Sequence, residues 1–381
     1  MYYAYKTINI NPLKPVKQYG HIQQVKPVYK CHDDLHARIT ALNDGIKTFI
    51  HVSVDSLGTP YSLQKHLEER VAELMLEPFK LIVSSTHTHY AADPNDRDYY
   101  NQLCDQIYEG IRTMEPHYCD ELTCSYISEP FEGVGTSRIT GHKANVVLGL
   151  LTVKADNVPV IRYIYHNVHP TVLSADEADY FSADWPGYVL NTLNRKGEVY
   201  NVFLQGAAGD ISTRFTRKDQ SYASVRQLGD RLLEELAYLE YDPVVYYPLS
   251  LTFTDHQIHC RHQFNEISFE EMPAGLSARE LETIKVGSIM RAELEKHPEK
   301  LAETLHVTKV SLGTNTLIFE PNELFSGYLD YIDTDKDLLV CYSNGYETYV
   351  TPPYSKLFTY ETFTDTLTDE TKEELIKTLR N

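Results

Sequence analysis

Short apolar runs alternate along the chain with stretches of helical spacing, and the alternation predicts a mixed α/β protein. Lys47-Thr48-Phe49-Ile50-His51-Val52-Ser53-Val54-Asp55 reads as a buried strand ending in a carboxylate. Gly58-Thr59-Pro60 turns the chain, and Ser62 to Leu76 then sets Leu63, Leu67, Val71 and Leu74 on one side of a helix. Leu81 to Ser85 is a second strand that runs directly into His87 and His89. Strand, helix and strand within so short a span make a βαβ unit, so part of the sheet is expected to be parallel.

The alternation continues. Val146 to Val153 and Val158 to Val168 are expected as adjacent strands joined by a turn at Asp156-Asn157. Trp185 to Leu193 is a short helix, Tyr200 to Leu204 a strand, and Val225 to Leu239 a helix with Leu228, Leu232 and Leu236 in register. Tyr246 to Ile258 reads as one or two extended strands, and Ser277 to Glu295 as a helix. Val307 to Val310 and Thr316 to Phe319 form a hairpin around Gly313-Thr314. Leu338 to Tyr342 is a strand, and Asp369 to Leu379 the last helix. The expected architecture is a set of mixed, partly parallel β-sheets flanked by helices, with a site at strand ends. A lobe boundary is expected near residues 241–246. Candidate site residues fall on both sides of it, so residues 1–381 are taken as one catalytic unit.

Composition narrows the class. The 381 residues are 42% hydrophobic and 23% charged, as in globular domains. A formal net charge of −19 argues against a nucleic-acid binder and against anionic membrane surfaces. No window approaches a transmembrane span, and Met1 to Pro12 has no apolar run of signal-peptide length. No integral membrane segment is therefore expected, and the cytoplasm is the expected location. The six cysteines are scattered without a C-x-x-C pair, which predicts reduced thiols.

Four polar clusters follow predicted strands or turns, where side chains of α/β sheets converge. In Thr86-His87-Thr88-His89, residues two apart share a face of an extended segment. Two imidazoles so placed can bind one metal, or one can bind while the other works beside it. In His166-Asn167-Val168-His169-Pro170-Thr171, His169 ends a strand that Pro170 stops, while His166 reads as a turn cap. Gly206-Ala207-Ala208-Gly209-Asp210-Ile211-Ser212 allows close backbone approach and offers amide donors for an oxyanion, but lacks the Gly-Lys-Ser/Thr ending of a phosphate loop. Pro321-Asn322-Glu323-Leu324 and Asn344-Gly345-Tyr346-Glu347-Thr348-Tyr349 add a carboxylate after a strand and two tyrosines.

In order, these clusters resemble the catalytic domain of the neutral/alkaline, non-lysosomal ceramidases, from about Asp34 to Glu361. The resemblance rests on Arg38, Asp55, Thr86 to His89, His169-Pro170-Thr171, Asp184-Trp185-Pro186-Gly187-Tyr188, Gly209-Asp210-Ile211-Ser212, Pro321-Asn322-Glu323 and Asn344 to Tyr349. It implies one zinc ion per chain, held by His87, His169, Glu323 and Tyr349. It further implies His89 as a substrate or proton-transfer group next to the metal and Ser212 as nucleophile or carbonyl contact. Arg138 would bind substrate. Gly209 and Tyr346 belong to the same substrate-facing set, and Asp210 would steady the loop or orient a ligand imidazole. The implied reaction is hydrolysis of a C–N amide bond. Two departures stand out: Tyr90-Ala91-Ala92 replaces the usual Ser-Gly-Pro, and Thr213-Arg214 the usual Pro-Asn. The family also adds a C-terminal immunoglobulin-like domain, and most members are secreted or membrane-facing. A small soluble amide or N-acyl compound is therefore the expected substrate. Ester, lactone or phosphoester hydrolysis on the same scaffold, and a binding protein with a decayed site, are the alternatives.

Overall fold

The computed structural model describes residues 1–20, 26–173, 179–240, 244–264 and 272–381. Three mixed sheets form its frame. The first has the spatial order Phe79–Ser85, Thr48–Val54, His36–Asn43, Tyr2–Asn9, His117–Tyr118. The second runs Tyr200–Gln205, Val158–His166, Val147–Ala155, Leu122–Pro130, Tyr247–Pro248. The third runs Leu251–His259, Thr304–Leu312, Asn315–Phe319, Asp337–Val340.

Each sheet carries one parallel pair among antiparallel neighbours. These are Thr48–Val54 with Phe79–Ser85, Val158–His166 with Tyr200–Gln205, and Asn315–Phe319 with Asp337–Val340. The predicted βαβ unit is the first of them, its crossover helix spanning Tyr61–Ala72. Alternation explains why Thr48–Val54 is buried on both faces. Ile50, Val52 and Val54 face a core shared with the helices, while Phe49 enters a core between the sheets. Asp156 and Asn157 take φ of 48° and 69°, the left-handed pair that a two-residue hairpin turn requires.

Helices cover the outer faces. Tyr61–Ala72 and Arg97–Arg112 pack on the first sheet, Asp184–Asn194 and Tyr222–Leu239 on the second, and Asp369–Arg380 on the third. All six cysteines are free thiols. Among the described residues, no helix is long and apolar enough to cross a membrane. Residues 241–243 of the expected lobe boundary lie outside the described residues.

The sheets meet at the C-terminal ends of their parallel pairs. Ser85 N–H donates to the Tyr342 carbonyl at 3.0 Å, Asn344 N–H to Val83 at 3.2 Å, and Cys341 N–H to Gln205 at 3.0 Å. Gly206 N–H donates to the His166 carbonyl at 3.1 Å. The segments leaving the strands at 85, 166, 205 and 340 are thus stitched edge to edge. That seam brings together polar clusters far apart in sequence.

Candidate metal centre

His87, His89 and His169 each present a ring nitrogen within 4.8 Å of the other two. His87 and His169 are fully buried, and His89 is half-buried. His87 takes φ of 64°, a left-handed conformation uncommon outside glycine, so its backbone is held by its surroundings. The strand Phe79–Ser85 delivers it, and Tyr342 stacks on its ring with centroids 3.8 Å apart.

Each Nδ1 faces a backbone carbonyl. His87 Nδ1 lies 2.7 Å from the Leu57 oxygen, and His89 Nδ1 lies 3.2 Å from the Gly20 oxygen. His169 Nδ1 lies 2.8 Å from the Ala208 oxygen and 3.0 Å from that of Ile211. A carbonyl only accepts, so these partners assign the proton to Nδ1 and leave a lone pair on each Nε2. Burial holds His169 neutral, pushing it down to about 4.

Glu323 completes the cluster from the other end of the chain. Its Oε2 lies 3.4 Å from His87 Nε2 and 3.3 Å from His169 Nε2. Tyr346 donates its hydroxyl to Glu323 Oε1. Two lone pairs and a carboxylate oxygen repel one another at such separations unless a cation lies between them. Two donors bound tetrahedrally at zinc's bond lengths stand roughly 3.3 Å apart. The residues therefore fit a metal ion.

Tyr349 lies opposite Glu323 in a two-residue parallel ladder, Glu323–Leu324 with Tyr349–Val350. The Arg138 guanidinium lies 5.3 Å from the Tyr349 ring centre. Arg138 Nη2 pairs with Glu361 at 2.6 Å and donates to the Gly209 carbonyl at 2.7 Å. Gly209 N–H donates to the Leu324 carbonyl at 2.8 Å, so this amide is used within the fold and is not a donor for an oxyanion. Asp210 accepts from Ser326 N–H and Oγ and pairs with His142 at 2.9 Å, which raises His142 above its usual range. Its carboxylate ties the glycine loop to the turn after Glu323 and orients His142, not a cluster imidazole. Ser212 Oγ accepts from Arg214 N–H at 3.2 Å and caps a short turn, one residue after the carbonyl that supports His169.

His166 Nδ1 faces the Val147 carbonyl of the neighbouring strand at 2.8 Å. Arg38 and Asp55 form a buried two-point ion pair at 3.0 and 2.9 Å. Sequence reasoning missed Tyr342, the carbonyls of Leu57 and Gly20, and the segment that lays Gly20 against His89. Backbone acceptors leave no trace in residue type. Gly20 does leave one, since a Cβ there would meet the His89 backbone at 2.5 Å.

By sequence, the chain matches no family model and no curated protein. Its fold matches two solved structures along its whole length. One is a ceramidase complexed with C2, with a TM-score of 0.76, 14% identity and 74% of that chain covered. The other is the neutral ceramidase from Pseudomonas aeruginosa, with a TM-score of 0.74, 14% identity and 73% covered. The chain has the ceramidase fold. The ordered motifs that resemble ceramidases thus lie on a ceramidase fold, and the histidine cluster sits where its strand ends converge.

Proposed function

We propose that the protein is a zinc-dependent hydrolase of a C–N amide bond, acting on a small or N-acyl substrate. The observation that carries this reading is the pairing of Glu323 Oε2 with two imidazole nitrogens at 3.4 and 3.3 Å, with every cluster Nδ1 facing a backbone carbonyl. His87, His169, Glu323 and Tyr349 are the ligands in this reading. Nitrogen and oxygen donors in a buried four-ligand set suit zinc. Zinc, when bound, supplies Lewis acidity toward a carbonyl group and toward water. The fold shared with ceramidases supports an amide as the bond cleaved.

The protein's own groups do the rest. His89, half-buried beside the ligands with Nδ1 turned to Gly20, takes up on Nε2 the proton that the attacking water or Ser212 hydroxyl loses and passes it to the leaving amine. Ser212 contacts or attacks the carbonyl from the loop that supports His169. Arg138, fixed by Glu361 and Gly209, borders the pocket beside Tyr349 and contacts substrate.

Among the described residues a single group of this kind is found. One metal favours carbonyl chemistry over phosphoryl transfer on two ions about 3.5–4 Å apart. The test is elemental analysis of protein purified without chelator, then an amide and ester panel with and without chelator. One zinc per chain and chelator-sensitive amide cleavage are expected. Protein without metal would instead mark a binding protein, and cleavage of esters alone would move the substrate class.

A further inference from the structure

The Tyr342 side chain is used neither by the fold's hydrogen bonding nor by the ligand set. Its side chain is fully buried, and its hydroxyl has no hydrogen-bond partner. Its backbone takes φ of 55°, left-handed and unfavourable for an aromatic residue. The seam enforces this conformation. The Tyr342 carbonyl accepts from Ser85, and the amides of Cys341 and Asn344 donate to Gln205 and Val83. The consequence is a ring stacked on His87 at 3.8 Å, with planes 23° apart. The ring centre also lies 6.3 Å from that of Tyr346, which donates to Glu323, so the ring sits beside the candidate ligands.

A strained residue that keeps a buried, unpartnered donor beside the histidine cluster is costly unless a ligand accepts from it. Tyr346 is committed to Glu323 and the Gly209 amide to Leu324, while Arg138 is engaged through Nη2 and keeps its buried Nε, like the Tyr342 hydroxyl, without a partner. We propose that the Tyr342 hydroxyl is a catalytic hydrogen-bond donor, given to the oxygen of the scissile carbonyl as negative charge develops on it. This role rests on the carbonyl-hydrolase reading above.

The test compares wild type, Tyr342→Phe and Tyr342→Leu, all loaded with zinc. Acetohydroxamate serves as a probe whose oxygen mimics the charged carbonyl oxygen. Tyr342→Phe keeps the ring on His87 and removes one atom, so zinc content and Tm should match wild type. Its acetohydroxamate Kd should rise about tenfold, as expected for a lost hydrogen bond to a charged acceptor. Its kcat/KM should fall by about 10²-fold, as when one oxyanion donor is removed. Tyr342→Leu should lose at least as much affinity. A Tyr342→Phe protein within twofold of wild type in both Kd and turnover overturns the assignment, as does a smaller loss in Tyr342→Leu. If wild type binds zinc and acetohydroxamate but cleaves no amide, the amide reading fails, and the tenfold Kd difference still upholds the donor. Wild type that takes up no zinc overturns both.

Discussion

Gly209 and Glu323 approach through their backbones. A Cβ on Gly209 would stand 2.8 Å from the Glu323 carbonyl oxygen and 2.9 Å from that of Leu324. Both obstacles are main-chain atoms of the two-residue ladder that carries Glu323, so they cannot rotate away. Gly209→Ala should push that ladder off the histidines. The expected cost is about 1–3 kcal/mol in stability, typical of overpacking. Zinc affinity should also fall at least tenfold, because Glu323 Oε2 would leave its place beside His87 and His169. Thermal unfolding and competitive zinc titration check both effects. An alanine variant with wild-type Tm and wild-type zinc affinity would show that the approach is not tight.

The proposed division of labour among the histidines predicts separable losses. His87→Ala, His169→Ala and Glu323→Gln should purify with little zinc and no activity. His89→Ala should retain zinc and lose about 10²–10⁴-fold in kcat, the range of general acid–base catalysis. Zinc content by elemental analysis, measured beside turnover, separates the two classes. If His89→Ala also loses its metal, the third imidazole is a ligand. That outcome is geometrically open, because its ring nitrogen lies within 4.8 Å of the other two.

Much of this was legible in the chain. Buried strands announced themselves by apolar runs, although the strand expected to reach Val168 ends at His166, and His169 lies in the segment that follows it. The strand Tyr2–Asn9 was not legible, because it reads as a polar, tyrosine-rich terminus yet pairs with all eight residues of His36–Asn43. The helix Arg97–Arg112 was overlooked although Tyr99, Leu103, Ile107 and Ile111 recur at helical spacing behind an Asp96 cap. The seam was unreadable for a different reason. It is made of main-chain hydrogen bonds between segments distant in sequence, and no residue type encodes such a bond. The roles of Tyr342 and Gly20 depend on that seam and on that packing, so they needed coordinates.

Arg38 and Asp55 belong to the ordered motifs, yet they work as a structural pair. Both are buried, both carboxylate oxygens accept from Arg38 Nη1, and Nη2 reaches Asn191 Oδ1 at 3.2 Å. Removing one partner leaves an uncompensated buried charge. Arg38→Met should cost about 3–5 kcal/mol in stability, and Arg38→Met with Asp55→Leu distinctly less than the sum of the two single changes. Urea unfolding of the three variants measures the coupling. Additive losses would mean that the two side chains act independently.

His51 sets part of the acid limit of stability. It is fully buried between Phe49, Tyr163 and Phe319, and its Nε2 meets Ser84 Oγ at 2.7 Å. Burial pushes it down to about 3 from an ordinary 6.5. Between those values the unfolded chain binds a proton that the folded chain refuses. The stability contributed by neutral His51 is therefore complete above pH 6.5 and is lost as pH falls toward 3. His51→Phe cannot titrate and fits an aromatic setting. It leaves Ser84 Oγ without this partner, at a cost of about 1 kcal/mol that does not depend on pH. Between pH 7 and 4.5 wild type should lose roughly 2–3 kcal/mol more than the variant, two pH units at 1.36 kcal/mol each. Urea midpoints across that interval measure it. Parallel pH curves for the two proteins would show that His51 is protonated in the fold, or that its burial is relieved by water.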